Sequence, residues 1–202
     1  MDEWIEHKPG QKVKFIKNDL SKTIIQEIGC ISGFFDFQDK IRPQRTRLIK
    51  DTLALLGDRE LKNKPKYKVY ANGLSKHLRQ INGGTFKNSE WLYDLHWYTE
   101  GADPYTTLSL PLVMECEWNP RRKGDSKVPY SGIKYDFQKL IVSNAGLRLM
   151  IFKIKKISNL DELGTYFQNN IANYTQLPLK SAFLFIAFCD LTKSFYYREI
   201  MK

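Results

Sequence analysis

The chain has 202 residues, 42% hydrophobic and 13% aromatic, which is enough for one domain with a buried core. Its 32 Lys and Arg against 22 Asp and Glu leave a formal charge of +10, which suits a polyanionic partner as well as plain solubility. No run approaches the ~18 apolar residues of a membrane span, MDEWIEHKPGQK lacks the apolar centre of a signal peptide, and Cys30, Cys116 and Cys189 are too widely spaced for a disulfide framework or zinc cluster.

Helical patterns dominate as far as about residue 82. NDLSKTIIQEIG offers Asn18 or Asp19 as a cap, an apolar stripe of Leu20, Ile24, Ile25 and Ile28, and Gly29 as a stop. RPQRTRLIKDTLALLGD carries Leu48, Ile49, Leu53 and Leu56 and ends at Gly57. The basic, proline-containing RELKNKPKYK reads as a loop, and GLSKHLRQINGG as a short helix broken by Gly83 and Gly84.

From residue 86 the pattern changes. SEWLYDLHWYTE alternates Trp91, Tyr93, Leu95 and Trp97 with Glu90, Leu92, Asp94 and His96, the signature of a strand, and TTLSLPLVMECEW is the next one. NPRRKGDSKVPYSG is a polar loop. KYDFQKLIVSNAG reads as a helix with Phe137, Leu140, Ile141 and Asn144 on one face and Gly146 at its end. LRLMIFKI is a buried strand, NLDELGTYFQNNIANYT a helix opened by Asn159, SAFLFIAFCD another buried strand, and SFYYREIMK a final edge strand.

The expected fold class is therefore α/β, a mixed sheet with helices on its faces. The strand–helix–strand passage over residues 107–153 should be a right-handed parallel crossover. Residues 1–72 are expected to form a mostly helical extension packed on a core of residues 73–202.

Glu115 and Glu117 close an otherwise apolar strand. Alternation points both the same way, roughly 6–7 Å apart, while Leu112, Met114, Cys116 and Trp118 point to the opposite, helix-packed face. A carboxylate is costly to bury without a partner. Two at this spacing can share a hard divalent cation; they can equally face solvent or basic side chains. Asp94 in the preceding strand is the acid best placed to join them, although an aspartate among aromatics also fits a bond to a tyrosine or a backbone amide. In the following helix Asp136, Lys139 and Ser143 share a flank of the apolar stripe and Gln138 points away. The histidines His7, His77 and His96 have no ligand-like spacing.

An acid in one strand, E-x-E in the next, a basic loop and a helix bearing Gln138 and Lys139 together resemble the PD-(D/E)XK nuclease superfamily, the restriction-endonuclease-like fold, over roughly residues 74–155. The resemblance implies a core of helix, three antiparallel strands, helix, and a strand parallel to the third. It puts Asp94 at the first-acid position, Glu115 at the second, and Glu117 where a lysine usually stands. Some members carry glutamate there, and others move the lysine into the following helix, the place of Lys139 or Gln138. No literal PD is present. The GLSKHLRQ helix lacks the acid that some members supply from the first core helix, leaving Glu27 and Glu60 as more distant candidates.

The function so implied is a metal-dependent nuclease that hydrolyses phosphodiester bonds, in DNA ahead of RNA. Mg²⁺ or Mn²⁺ would be held by Asp94, Glu115 and the Cys116 carbonyl, with Glu117 or Lys139 orienting or deprotonating the attacking water. Arg121, Arg122, Lys123 and Lys127, in the loop beside the acids, would grip phosphates. Trp91, Trp97 and Trp118 could stack bases, although their alternation fits a core. The alternative is a catalytically inactive nucleic-acid-binding or assembly module of the same fold. The cytoplasm is the expected compartment, a membrane partner is not expected, and a homodimer is allowed.

Overall fold

The computed structural model describes residues 3–8, 10–34, 37–64, 66–81, 85–89, 91–103, 105–125 and 127–202. In chain order its elements are β1 (Ile5–Glu6), α1 (Asp19–Phe34), a 3-10 turn at Phe37–Asp39, α2 (Arg42–Leu61), β2 (Tyr67–Ala71), α3 (Lys76–Ile81) and β3 (Phe86–Lys87). There follow β4 (Leu95–Glu100), β5 (Thr107–Glu117), α4 (Ser131–Ile141), β6 (Leu147–Ile154), α5 (Asn159–Asn173), β7 (Ala182–Cys189) and β8 (Ser194–Met201). Among the described residues the strands form one sheet in the order β1-β8-β7-β6-β5-β4-β2-β3. None of the described helices is long and apolar enough to cross a membrane.

Strands β2, β4 and β5 pair antiparallel in succession. Helix α4 then carries the chain to β6, parallel to β5 with Glu115 level with Met150, so the crossover over 107–153 is parallel as expected. β7 adds a second parallel step and β8 returns antiparallel. Pro111 falls opposite a bulge between Trp97 and Thr99, where a residue without an N–H interrupts no regular ladder bond.

Alternating strand residues feed two cores. Leu95, Trp97, Leu112, Met114, Cys116, Leu149 and Ile151 pack against the isoleucines of α1 and the Ile49–Leu53–Leu56 stripe of α2. Val113, Met150, Phe152, Phe183 and Phe185 pack against Phe137 and Leu140 of α4 and Phe167 of α5. Each such large side chain contributes about 1.5–3 kcal/mol by leaving water. Because both faces carry helices, the side of β5 that bears Glu115 and Glu117 is not an open surface.

The fold also departs from several expectations. α1 runs five residues past Gly29 and α2 four past Gly57. Both glycines serve close packing: a β-carbon at Gly29 would fall on the His7 imidazole, and one at Gly57 would lie 2.6 Å from Trp97 Nε1. Tyr67 and Lys68, expected in a loop, open β2. α2 packs in the same core, and β2 pairs in the same sheet, as later elements. The strand expected from residue 89 begins only at Leu95; Trp91 is exposed, and Glu90 lies outside the described residues, as do Gly83 and Gly84. α4 ends at Ile141, which leaves Asn144 exposed beyond it. β8 is covered at its outer side by the two residues of β1 and is not the edge.

Candidate active site

Strand β4 starts at Leu95, level with Met114 of β5, so Asp94 stands one residue outside the ladder, level with Glu115. The carboxylate continues the pairing where the backbone stops. Asp94 Oδ2 accepts the Cys116 N–H at 2.8 Å, and Oδ1 receives Lys50 Nζ from α2 at 3.0 Å. Lys50 is 4% exposed and also donates to the Asn72 carbonyl at 3.3 Å. A buried ammonium requires such oxygens.

Glu115 is 2% exposed and lies on the α4 side of the sheet. Lys139 of α4 places Nζ 2.8 Å from its Oε1 and 2.9 Å from Asp136 Oδ1. Among the described residues Oε1 of Glu115 is buried with the Lys139 ammonium as its neighbour. Burial pushes the Glu115 carboxyl up to about 8; Lys139 opposes the rise, and the charges of Asp94 and Asp136 add to it. For Lys139, burial alone would lower the pKa, but Glu115 and Asp136 outweigh it and hold the ammonium well above its ordinary range.

Glu117 is half-buried beside the start of α4. Its Oε1 accepts the Asn119 N–H at 2.6 Å and lies 3.7 Å from Arg42 of α2. Burial raises its carboxyl, the Asn119 N–H opposes, and the charge of Asp136 adds to the rise. Gly132 allows this approach, since a β-carbon there would press on the Asn119 carbonyl and the Glu117 side chain.

Asp94, Glu115, Glu117 and Lys139 are thus brought to one end of β5, together with Asp136. Among the described residues no three Asp, Glu, His or Cys side chains converge closely enough to hold a metal ion. Mg²⁺, however, is commonly held by one or two carboxylates with carbonyl and water completing its shell. Asp94, Glu115 and the Cys116 carbonyl fit that pattern in donor type.

The loop cations are exposed. Arg121 lines a groove of about 340 Å³ with Lys155, Lys156 and Tyr130 at the ends of β5 and β6. Arg122 donates its N–H to Ser131 Oγ at 2.9 Å and lays its guanidinium over Tyr135 at 3.7 Å. Lys123 and Lys127 extend into solvent.

Lys50 was not among the residues expected here. Its signal was a lysine within a buried helical stripe, four residues before Ala54 and seven before Gly57. Arg42 carried no comparable mark, whereas Asp136 shares the flank of Lys139 that helical spacing gives. Glu27 and Glu60, the more distant acids, both pair with Arg59, at 2.7 and 3.8 Å, and take no part. Comparison of the chain with protein-family models, curated proteins and solved structures yields no match.

Proposed function

We propose that this chain is a metal-dependent nuclease of the PD-(D/E)XK type, hydrolysing phosphodiester bonds in DNA ahead of RNA. The observation that carries the reading is the meeting of Lys139 with Glu115 at 2.8 Å, level with Asp94 across β4 and β5. It supplies from the helix the lysine that E-x-E lacks in the strand. The elements α2, β2, β4, β5, α4 and β6, with α3 and β3 inserted between β2 and β4, support it: helix, three antiparallel strands, helix, and a strand parallel to the third. Asp94 stands at the start of the second of those strands and Glu115 and Glu117 at the end of the third.

Asp94, Glu115 and the Cys116 carbonyl would hold Mg²⁺ or Mn²⁺, whose chemistry when bound is to polarise a phosphoryl oxygen and acidify a water. Lys139 stays an ammonium at neutral pH because two acids hold its proton. It therefore serves as counter-charge and as hydrogen-bond donor to the phosphate, not as base. Glu117, whose carboxyl burial has raised, is the proton acceptor for the attacking water. Arg121, Lys123 and Lys127 grip flanking phosphates. The test is cleavage of plasmid, linear duplex and single-stranded DNA with Mg²⁺ or Mn²⁺. Glu115→Ala and Asp94→Ala are each expected to abolish it, and activity that survives both removes these acids from the mechanism.

One observation favours a second reading. Lys50 occupies Asp94 and Lys139 occupies Glu115 from within the fold. A catalytically inactive nucleic-acid-binding or assembly module would keep those pairs permanently. It would bind nucleic acid in a salt-sensitive way and cleave none with either metal.

A further inference from the structure

Trp97 and Trp118 are 1% and 3% exposed, each with its indole N–H bonded to α2, at the Leu53 carbonyl and Thr46 Oγ1. Trp91 is 59% exposed. It rests against His96 at 5.5 Å and edge-on to Tyr98 at 6.4 Å, while His96 stacks on Tyr70 at 4.7 Å with the rings 7° from parallel. Four rings thus build a rigid support with one indole left open to solvent. Tyr93 connects this support to the acids. Its ring is 6.4 Å from His96, and in the chain it directly precedes Asp94.

A second exposed ring lies on α4 beside Lys139. Tyr135 of α4 is 44% exposed, lies one turn before Lys139 with its ring 5.9 Å from that ammonium, and carries the Arg122 guanidinium at 3.7 Å. Exposed aromatic rings therefore lie three residues before Asp94 in the chain and one turn before Lys139 on α4, the second set among cations. In a duplex the faces of the bases are already stacked on each other. Only an unpaired strand can offer them to side chains while its phosphates meet Arg and Lys.

We propose that Trp91 and Tyr135 stack the bases of an unpaired polynucleotide strand on either side of the phosphate presented to Glu115 and Lys139, so that the substrate is single-stranded. This rests on the nuclease reading of the same acids. Every base has a π-face, so the grip is tolerant of sequence.

The test uses the full chain in the absence of metal, titrated with a short labelled oligothymidylate and with a duplex of equal length at one salt concentration. The oligothymidylate binds more tightly and quenches the indole emission. Trp91→Ala and Tyr135→Ala each weaken it by roughly 5- to 150-fold while duplex binding stays within about twofold. Trp91→Phe, which keeps a ring, restores most of the affinity. Preference for the duplex, or wild-type binding by both alanine variants, overturns the proposal. Cleavage of duplex by wild type and Trp91→Ala alike keeps the nuclease and removes the strand grip. Trp91-dependent binding without cleavage in Mg²⁺ or Mn²⁺ keeps the grip and removes the nuclease.

Discussion

Lys139 holds one ammonium between two carboxylates, 2.8 Å from Glu115 Oε1 and 2.9 Å from Asp136 Oδ1. The helix α4 thereby brings a counter-charge to an acid that the sheet has almost removed from water. Lys139→Met leaves Glu115 buried without that charge, so its proton is held to still higher pH. The acid limb of the cleavage profile should shift alkaline, with kcat/KM at pH 7 falling by roughly 10²–10⁴-fold. Lys139→Arg, which retains the cation, should keep the limb near its original position. A loss of rate with no movement of the limb would separate Lys139 from the ionisation of Glu115.

Glu115 also ties cation binding to pH. Its folded value of about 8 lies above the ordinary 4.5, so at neutral pH a divalent ion must displace a proton. Mn²⁺ affinity, followed by titration calorimetry, should rise about tenfold per pH unit below pH 8 and level off above it. Glu115→Gln removes both the site and the slope. In the metal-free fold the sign is opposite. The unfolded chain loses this proton first, so the contribution of Glu115 to stability is present below pH 4.5 and is lost as pH rises through about 8.

Lys50 and Asp94 form the other internal pair, at 3.0 Å. Lys50→Met removes a buried ammonium from a partly exposed carboxylate, and should cost about 2–3 kcal/mol in urea unfolding, less than a fully buried pair. Asp94→Asn in the same background should recover part of it, with a coupling energy of about 0.5–3 kcal/mol in the double-mutant cycle. Because Lys50 occupies Asp94 Oδ1, Lys50→Met should also tighten Mn²⁺ binding. Equal affinity in the two proteins would mean that Oδ1 is not a ligand.

Much of this architecture was legible in the sequence, for a specific reason. β5, β6, β7 and α5 are regular and long enough for their apolar period to stand out, and β5 carries its two acids on the face that periodicity assigns. Local signals misled where a residue's role was set by a distant neighbour. Gly29 and Gly57 read as helix stops because their partners, His7 and Trp97, come from elsewhere in the chain. Tyr67–Ala71 is short and follows a lysine-rich stretch, so β2 shows only when β4 is there to pair with it. Asp94, Glu115 and Lys139 were visible as residue types in order. That Lys50 would reach Asp94 across the sheet depended on the packing of α2, which no spacing within α2 encodes.

His96 gives the sharpest test of the sheet around the acids. It is fully buried beside Tyr70 and Trp91, and among the described residues neither ring nitrogen has a hydrogen-bond partner. Burial lowers its pKa from 6.5 to about 4, so the imidazole packs as a neutral ring. The folded value lies below the unfolded one. Its contribution to stability is therefore present above pH 6.5 and is lost as pH falls towards 4, the reverse of Glu115. His96→Phe keeps the stack on Tyr70 and removes two unsatisfied buried nitrogens, each of a kind that costs about 1–3 kcal/mol. It should raise the unfolding free energy at pH 7 and flatten the loss between pH 6.5 and 4. Glu115→Gln should flatten the opposite slope between pH 4.5 and 8, and in the overlap the two effects partly cancel in the wild type. Urea melts across this range resolve the pair. If His96→Phe is less stable at pH 7 and keeps the acid slope, the imidazole has a polar partner in solution, and its place is not that of a packed ring.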